Sequence, residues 1–192
     1  EDGAFDVPRA RRILHRARDL GLGCKVHAEQ LGRCGGAALA AEMGAVSADH
    51  LDHATPEDAA AMAAAGTTAV LLPGATFFLN KSRFPDGRML RDAGVHVALS
   101  TDWNPGSSMT SNLFLMATFG AVRCGLRPAE ALLGITLEAA RALGLADVAG
   151  HLGVGARGDL VALDGPSWRT PVYHFGAHHV RTVWKGGERI HG

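Results

Sequence analysis

Residues 45–72, AVSADHLDHATPEDAAAMAAAGTTAVLL, contain the pattern that decides the fold class. Residues 45–51 form a strand candidate, and residues 68–72 are almost wholly apolar, as expected for a strand buried on both faces. Between them, residues 56–65 have the composition of a helix that begins at a proline and ends before Gly66. The stretch therefore predicts a strand–helix–strand unit with parallel strands.

The same alternation continues on both sides of this unit. Further strand candidates occupy residues 24–27 and 95–100. Further helix candidates occupy residues 7–20, 36–43, 85–93, 111–123 and 128–143. Repeated alternation predicts an α/β fold with a parallel sheet and outer helices. Both a doubly wound open sheet and part of a (β/α)8 barrel fit this pattern, and a complete barrel needs about 250 residues.

Composition limits the class of protein. The 192 residues include 47% hydrophobic and 20% charged residues, which is typical of a folded domain or of a domain with part of another. Because 19 Lys and Arg balance 19 Asp and Glu, charge gives no reason to expect a nucleic-acid or membrane partner. No apolar run approaches the roughly 20 residues that span a bilayer.

The termini and cysteines give two further expectations. The chain starts at Glu1 rather than Met and shows no signal peptide, so we expect a processed or truncated chain. Its three cysteines, Cys24, Cys34 and Cys124, form no C-x-x-C motif, which favours a reducing, cytoplasmic setting.

The character of the chain changes after Gly150. Residues 155–164 and 179–185 each suggest a short strand, and no long helix pattern separates them. We therefore predict a boundary near this glycine, with residues 1–150 in the α/β part and residues 151–192 in a small β domain.

Three polar residues lie at or just after the carboxyl ends of predicted strands. His27 ends the first strand, His50 ends the second, and Asp102 follows the fourth. The carboxyl ends of parallel strands converge on one face, so these side chains should lie close together. Imidazole and carboxylate groups suit Zn²⁺ or iron, although a single histidine at a strand end is more often structural.

The loop that follows Asp102 is a second candidate site. Pro105 and Gly106 favour a turn, and Ser107 or Ser108 could cap the next helix. Free backbone N–H groups in this turn would bind a carboxylate or phosphate. The alternative is a capped helix with no ligand.

Four segments form a recognisable set: VHAEQ (26–30), SADHL (47–51), AVLLPGA (69–75) and TDWNPGS (101–107). Together they resemble the imidazolonepropionase family of the amidohydrolase superfamily. The resemblance extends from about residue 21 to the end of the chain and implies the second half of a (β/α)8 TIM-type barrel, followed by part of a small β-sandwich domain. Single His and Asp matches are shared across the superfamily, whereas the LLPGA and D-x-N-P-G-S segments are more specific.

The resemblance also implies a function. The family hydrolyses the ring amide of 4-imidazolone-5-propanoate to N-formimidoyl-L-glutamate in histidine degradation, using one Zn²⁺ or Fe³⁺ ion. It further implies a cytoplasmic enzyme that is a homodimer at full length, with a small-molecule substrate and neither nucleic acid nor membrane as a partner.

The family motifs assign roles to individual residues by resemblance. His27 and Asp102 match metal ligands, and His50 matches the active-site histidine beside the substrate carbonyl. Asp102 could also accept the proton of the attacking water, while His50 could donate a hydrogen bond to the carbonyl oxygen. The implied substrate-binding residues are Gln30, Asn104, Gly106 and Ser107.

One departure from the family and two alternatives remain. The family's H-x-H metal-ligand pair occurs nowhere in this chain, so we expect it, with the family's substrate-binding Arg and Tyr, before Glu1. A guanine- or cytosine-type deaminase would carry H-x-x-E, but Gln30 stands at the fourth position, and its amide does not exchange a proton near neutral pH. A non-catalytic module that binds a small anion is the other alternative.

Overall fold

The computed structural model describes residues 1 and 3–192. Its strands are β1 (Lys25–Ala28), β2 (Ser47–His50), β3 (Thr68–Leu71), β4 (Val97–Leu99), β5 (Leu160–Leu163), β6 (Val180–Lys185) and β7 (Glu188–His191). Its helices are α1 (Val7–Asp19), α2 (Gly36–Glu42), α3 (Pro56–Ala65), α4 (Pro73–Phe78), α5 (Gly87–Asp92), α6 (Leu113–Arg123), α7 (Pro128–Gly134), α8 (Leu137–Ala142) and α9 (Thr170–Tyr173).

The main sheet is parallel, and its spatial order, β1-β2-β3-β4, follows the chain order. A doubly wound sheet reverses its order at a switch point, whereas a barrel adds each strand beside the preceding one. The order therefore decides between the two architectures that the sequence left open. The prediction of half a (β/α)8 barrel is confirmed.

The two faces of this sheet differ in polarity. Val26 and Ala28 of β1 are buried, and Ala28 packs against Gly36 at the start of α2. Lys25 and His27 alternate with them and are exposed on the other face. In a barrel that other face is the interior, so the alternation directs His27 toward the barrel axis.

One helix prediction needs correction, and one helix was missed. Residues 128–143 form two helices rather than one, because the backbone of Thr136 leaves the helical region with φ −127° and ψ −95°. The break follows Gly134, where an added Cβ would lie 3.1 Å from Leu99 of β4, so the chain packs closely on the sheet at this boundary. Helix α4 was not predicted from the sequence, since its Pro73-Gly74 start is also typical of a turn.

Helix α8 closes the amino-terminal end of the sheet. It packs against β3 and β4, and Lys25 of β1 donates a hydrogen bond to the Ala142 carbonyl. Its buried Glu138 carboxylate lies 3.3 Å from Arg91 Nη1 and 3.2 Å from Arg141 Nε. These contacts lie at the end of the sheet opposite the candidate site.

The carboxyl-terminal segment forms an antiparallel sheet of order β5-β6-β7. Between β5 and β6, α9 packs against the α/β part of the chain. There Thr118 of α6 donates a 2.8 Å hydrogen bond to the Val172 carbonyl of α9. The domain boundary near residue 150 stays a prediction. Within the described residues, no helix is both long and apolar enough to cross a membrane.

Candidate active site

The structure brings His27, His50 and Asp102 together at the carboxyl end of the parallel sheet. The ring centroids of the two histidines are 4.3 Å apart, and the rings are inclined by 43°. His50 Nε2 lies 4.0 Å from Asp102 Oδ2. Three strand ends that are distant in sequence therefore form one cluster, as the parallel topology predicted.

Unusual backbone conformations shape this cluster. His50 has a φ of 78°, Asp102 of 52° and Glu29 of 57°, all in the left-handed region that residues other than glycine rarely adopt. His50 pairs in register with Ala28, which faces the outer helices, so regular pleating would direct the imidazole outward. With its positive φ, the His50 ring contacts His27 instead. Strain of this kind concentrates at functional sites.

Burial shifts the pKa values of His50 and Asp102 in opposite directions. Burial, together with the nearby positive charges of His27 and Lys81, lowers the pKa of His50 to about 3. His50 is therefore neutral at physiological pH. Burial raises the pKa of Asp102, and the neighbouring Asp49 carboxylate adds to this, while His27 opposes it.

Asp49 is a site residue that the sequence analysis did not single out. It pairs in register with His27, so both belong to the interior face, and Ser47 Oγ donates a 2.8 Å hydrogen bond to Asp49 Oδ1. Burial raises the pKa of this carboxyl. The two-residue alternation along β2 could have indicated it, because Ser47 and Asp49 are the polar members of that strand's interior face.

The loop after β1 is held by charged side chains. Glu29 is fully buried, and its carboxylate accepts hydrogen bonds from the backbone N–H groups of Cys34 at 2.8 Å and Ala37 at 3.2 Å, which fixes the loop to the start of α2. Gln30 follows directly. Its backbone N–H donates to Glu1 Oε2 at 2.8 Å, and its carbonyl accepts from Lys81 Nζ at 2.9 Å.

The loop after Asp102 contradicts one expectation. Asn104 Oδ1 accepts hydrogen bonds from the backbone N–H groups of Gly106 and Ser107, each at 2.8 Å. The amides expected to be free for an anion are therefore already paired, because the Asn104 side chain forms the turn. Asn104 Nδ2 also donates to the Asp102 carbonyl at 2.6 Å, which ties this loop to the cluster.

The expected helix cap is also wrong. Neither Ser107 nor Ser108 caps a helix, since α6 begins later and Asn112 Oδ1 accepts the hydrogen bond from the Leu115 N–H at 3.1 Å. Ser108 instead donates to the Thr101 carbonyl, and a backbone bridge to Asn104 closes the loop.

Residues 9–190 match the family model of the amidohydrolase family. The chain belongs to this family. Imidazolonepropionases from Bacillus velezensis and Bacillus cytotoxicus are each 43% identical to it, over 190 and 187 residues. These alignments cover 99% and 97% of the chain but 45% and 44% of the relatives, so this amidohydrolase chain spans about half their length.

Solved structures agree with the fold of this amidohydrolase. An adenosine deaminase from Xanthomonas campestris with bound zinc superimposes with a TM-score of 0.81 and 25% identity, covering 96% of this chain and 48% of that one. An N-isopropylammelide isopropylaminohydrolase from Burkholderia multivorans gives a TM-score of 0.77 at 24% identity, covering 96% and 51%.

The donor chemistry of this amidohydrolase fits part of a metal site. His27 offers an imidazole and Asp102 a carboxylate, and both groups suit zinc or iron. Residues 1 and 3–192 contain no group of three or more His, Cys, Asp and Glu side chains placed to hold an ion. The assignment of His27 and Asp102 as metal ligands stays a prediction.

Proposed function

We propose that these residues serve an imidazolonepropionase reaction, in which the ring amide of 4-imidazolone-5-propanoate is hydrolysed to N-formimidoyl-L-glutamate during histidine degradation. The 43% identity to the Bacillus velezensis imidazolonepropionase, over 99% of this chain, carries the proposal. The convergence of His27, His50 and Asp102 supports it, because that reaction needs a metal ligand, a hydrogen-bond donor and a proton acceptor in one place.

His27 and Asp102 would hold one Zn²⁺ or Fe³⁺ ion together with donors from outside the described residues. When bound, such an ion lowers the pKa of a coordinated water toward about 7 and so supplies a nucleophile at neutral pH. The partial exposure of both side chains at the open end of the sheet supports this assignment, since it leaves them accessible to an ion and to further ligands.

His50 and Asp102 would carry out the proton chemistry. The carboxylate of Asp102 accepts the proton of the attacking water and returns it to the ring nitrogen as the C–N bond of the amide breaks. The neutral His50 ring keeps one N–H, which donates a hydrogen bond to the carbonyl oxygen as negative charge develops there. The depressed pKa of His50 supports this role, because the ring does not need to lose a proton first.

Gln30, Asn104, Gly106 and Ser107 would contact the substrate. Gln30 lies in the loop next to His27, and the other three form the turn that follows Asp102. The hydrogen bonds within that turn indicate a preformed surface whose shape Asn104 sets, in place of the free amides that the sequence suggested.

Two observations bear on the alternatives. A deaminase needs a carboxyl group where Gln30 stands, and a neutral amide cannot carry a proton to a leaving amine. The non-catalytic module would bind a small anion through residues 104–108, and in that loop the Gly106 and Ser107 amides are paired with Asn104. We extend the proposal to an enzyme that is a homodimer at full length. We also propose a cytoplasmic location, which the three free cysteines support.

The direct test is hydrolysis by the complete gene product. We expect loss of the imidazolone absorbance with stoichiometric formation of N-formimidoyl-L-glutamate, and about one equivalent of zinc or iron for each chain. Guanine, cytosine and adenosine serve as competing substrates. Release of ammonia from one of these, with no imidazolone hydrolysis, would replace this proposal with a deaminase.

A further inference from the structure

The backbone of Gln30 is held at both of its polar groups by charged side chains from distant parts of the chain. Glu1 Oε2 accepts a hydrogen bond from the Gln30 N–H at 2.8 Å, and Glu1 Oε1 accepts one from the Leu31 N–H at 3.1 Å. On the other side, Lys81 Nζ donates to the Gln30 carbonyl at 2.9 Å. Side chains therefore hold the peptide groups on both sides of Gln30.

The position of Lys81 follows from how α4 ends. Asn80 adopts a left-handed conformation with a φ of 53°, and the Lys81 N–H donates to the Thr76 carbonyl at 3.1 Å, as in a Schellman motif. This reversal directs the chain back over the carboxyl end of the sheet. Lys81 reaches the loop after β1, while Arg83 Nε donates to the Asp52 carbonyl in the loop after β2 at 2.8 Å.

The carboxylate of Glu1 is nearly buried and has three partners. Its side chain is 8% exposed, and Glu1 Oε2 lies 3.5 Å from His27 Nε2 in addition to its two amide partners. A carboxylate that is nearly buried must be paired to be stable, and here its partners are the two loop amides and the histidine. Glu1 therefore links the loop amides to a residue of the candidate metal site.

We propose that Glu1 and Lys81 are positioning residues that fix the Gln30 loop against the substrate. We call this pair the Gln30 tether. Glu29 has a strained backbone just before Gln30, and such a conformation persists only where its surroundings hold it. Without the tether the loop can relax, and the Gln30 side chain loses its position relative to His27. The inference rests on the proposed function, since it assigns the pair to the substrate site of that reaction.

The kinetic test uses the complete gene product, numbered as here. Lys81→Met and Glu1→Ala should each raise KM for imidazolone-propanoate about tenfold, with kcat within threefold and the metal content unchanged, because binding is weakened without loss of the reacting groups. Lys81→Arg should recover most of the loss, since its guanidinium can donate to the same carbonyl. Lys185→Met is the matched control, because that lysine pairs with Asp159 in the second sheet.

A double-variant cycle separates positioning from a general structural role. Gln30→Ala should raise KM by itself, and Lys81→Met should have no further effect in that background. Multiplicative effects in the double variant, or a Lys81→Met enzyme with a KM within twofold of wild type, would overturn the inference while the proposed function stands.

A second readout does not depend on activity. Hydrogen exchange at the Gln30 and Leu31 amides should be about tenfold faster in Glu1→Ala and unchanged in Lys185→Met. If the wild-type protein does not hydrolyse the substrate, the proposed function fails. Equal exchange rates at these amides in wild type and Glu1→Ala would overturn the Gln30 tether, whether or not the proposed function holds.

Discussion

At the level of single residues, burial shifts the pKa values of His50 and Asp102 in opposite directions. The same low-dielectric environment disfavours the protonated imidazole and the ionised carboxylate, so it moves the two pKa values in opposite directions. His50 is left as a neutral donor, and Asp102 is left as a more basic carboxylate than one in water. Their separation of 4.0 Å places both groups within reach of one small substrate.

Replacing Asp102 tests the proposed proton acceptor. In the complete gene product, Asp102→Asn should lower kcat by about a hundredfold or more, because the amide keeps the shape but neither binds a cation well nor accepts a proton. Asp164→Asn, at an exposed aspartate that follows β5, is the control. Circular dichroism should show that both variants fold. Asp102→Asn activity within tenfold of wild type would contradict the mechanism.

Replacing Gln30 tests the substrate class. Gln30→Glu should impair imidazolone hydrolysis, because the added carboxylate would repel the propionate of the substrate and would stand near the Glu1 carboxylate. We expect no efficient deamination of guanine or cytosine. Steady-state assays on all three compounds check this, and a strong gain on either base would show that the assigned substrate class is wrong.

At the level of elements, local sequence fixes the ends of α3 better than those of any other helix near the site. Thr55 Oγ1 accepts a hydrogen bond from the Asp58 N–H at 3.3 Å, and Asp58 Oδ2 accepts one from the Thr55 N–H at 3.0 Å. Gly66 ends the helix with a φ of 71°. This capping box, with Pro56 at the first turn, explains why the helix boundaries agree with the prediction from sequence.

The capping box gives a stability prediction. Thr55→Ala should lower the free energy of unfolding by about 1 kcal/mol, since the Asp58 N–H then loses its side-chain acceptor. Chemical denaturation of the complete gene product provides the measurement, and Ser111→Ala, at an exposed position outside any helix, is the control. An equal loss in the two variants would show that the cap contributes nothing specific.

Other element boundaries were not predictable from local sequence. Helix α7 stops where Gly134 packs on Leu99, a contact between residues 35 positions apart in the chain. Likewise, Asn112 caps α6 in place of Ser107 or Ser108, because Ser108 donates its hydrogen bond to the Thr101 carbonyl. A sequence window shows which residues can cap a helix, but competing tertiary contacts decide which one does.

At the level of the whole molecule, the parallel sheet has two edges, β1 and β4. A (β/α)8 barrel has no free edge, because its first and last strands pair. His27 is on the edge strand β1, and its side chain is 49% exposed. The open edge therefore lies beside His27, in a chain that spans about half the length of its curated relatives.

Residues 1–192 expressed alone should therefore aggregate readily, bind metal weakly and show no imidazolone hydrolysis. Co-expression with the amino-terminal half of an imidazolonepropionase, such as that of Bacillus velezensis, should increase both bound metal and activity. Metal analysis and the absorbance assay under identical conditions provide the comparison. A full equivalent of metal and turnover by the 192-residue chain alone would contradict this expectation.

The sequence by itself determined the strand–helix alternation, the resemblance of four segments to one family, and the polar residues at the strand ends. These features are readable because periodicity and motif spacing are local. Only the tertiary structure decided that the Asn104 side chain accepts the hydrogen bonds of the loop amides and that Asp49 shares a face with His27. It also decided that Glu1 and Lys81 both bind the backbone of Gln30. Those outcomes depend on contacts between distant residues and on burial, and both quantities exist only once the chain has folded.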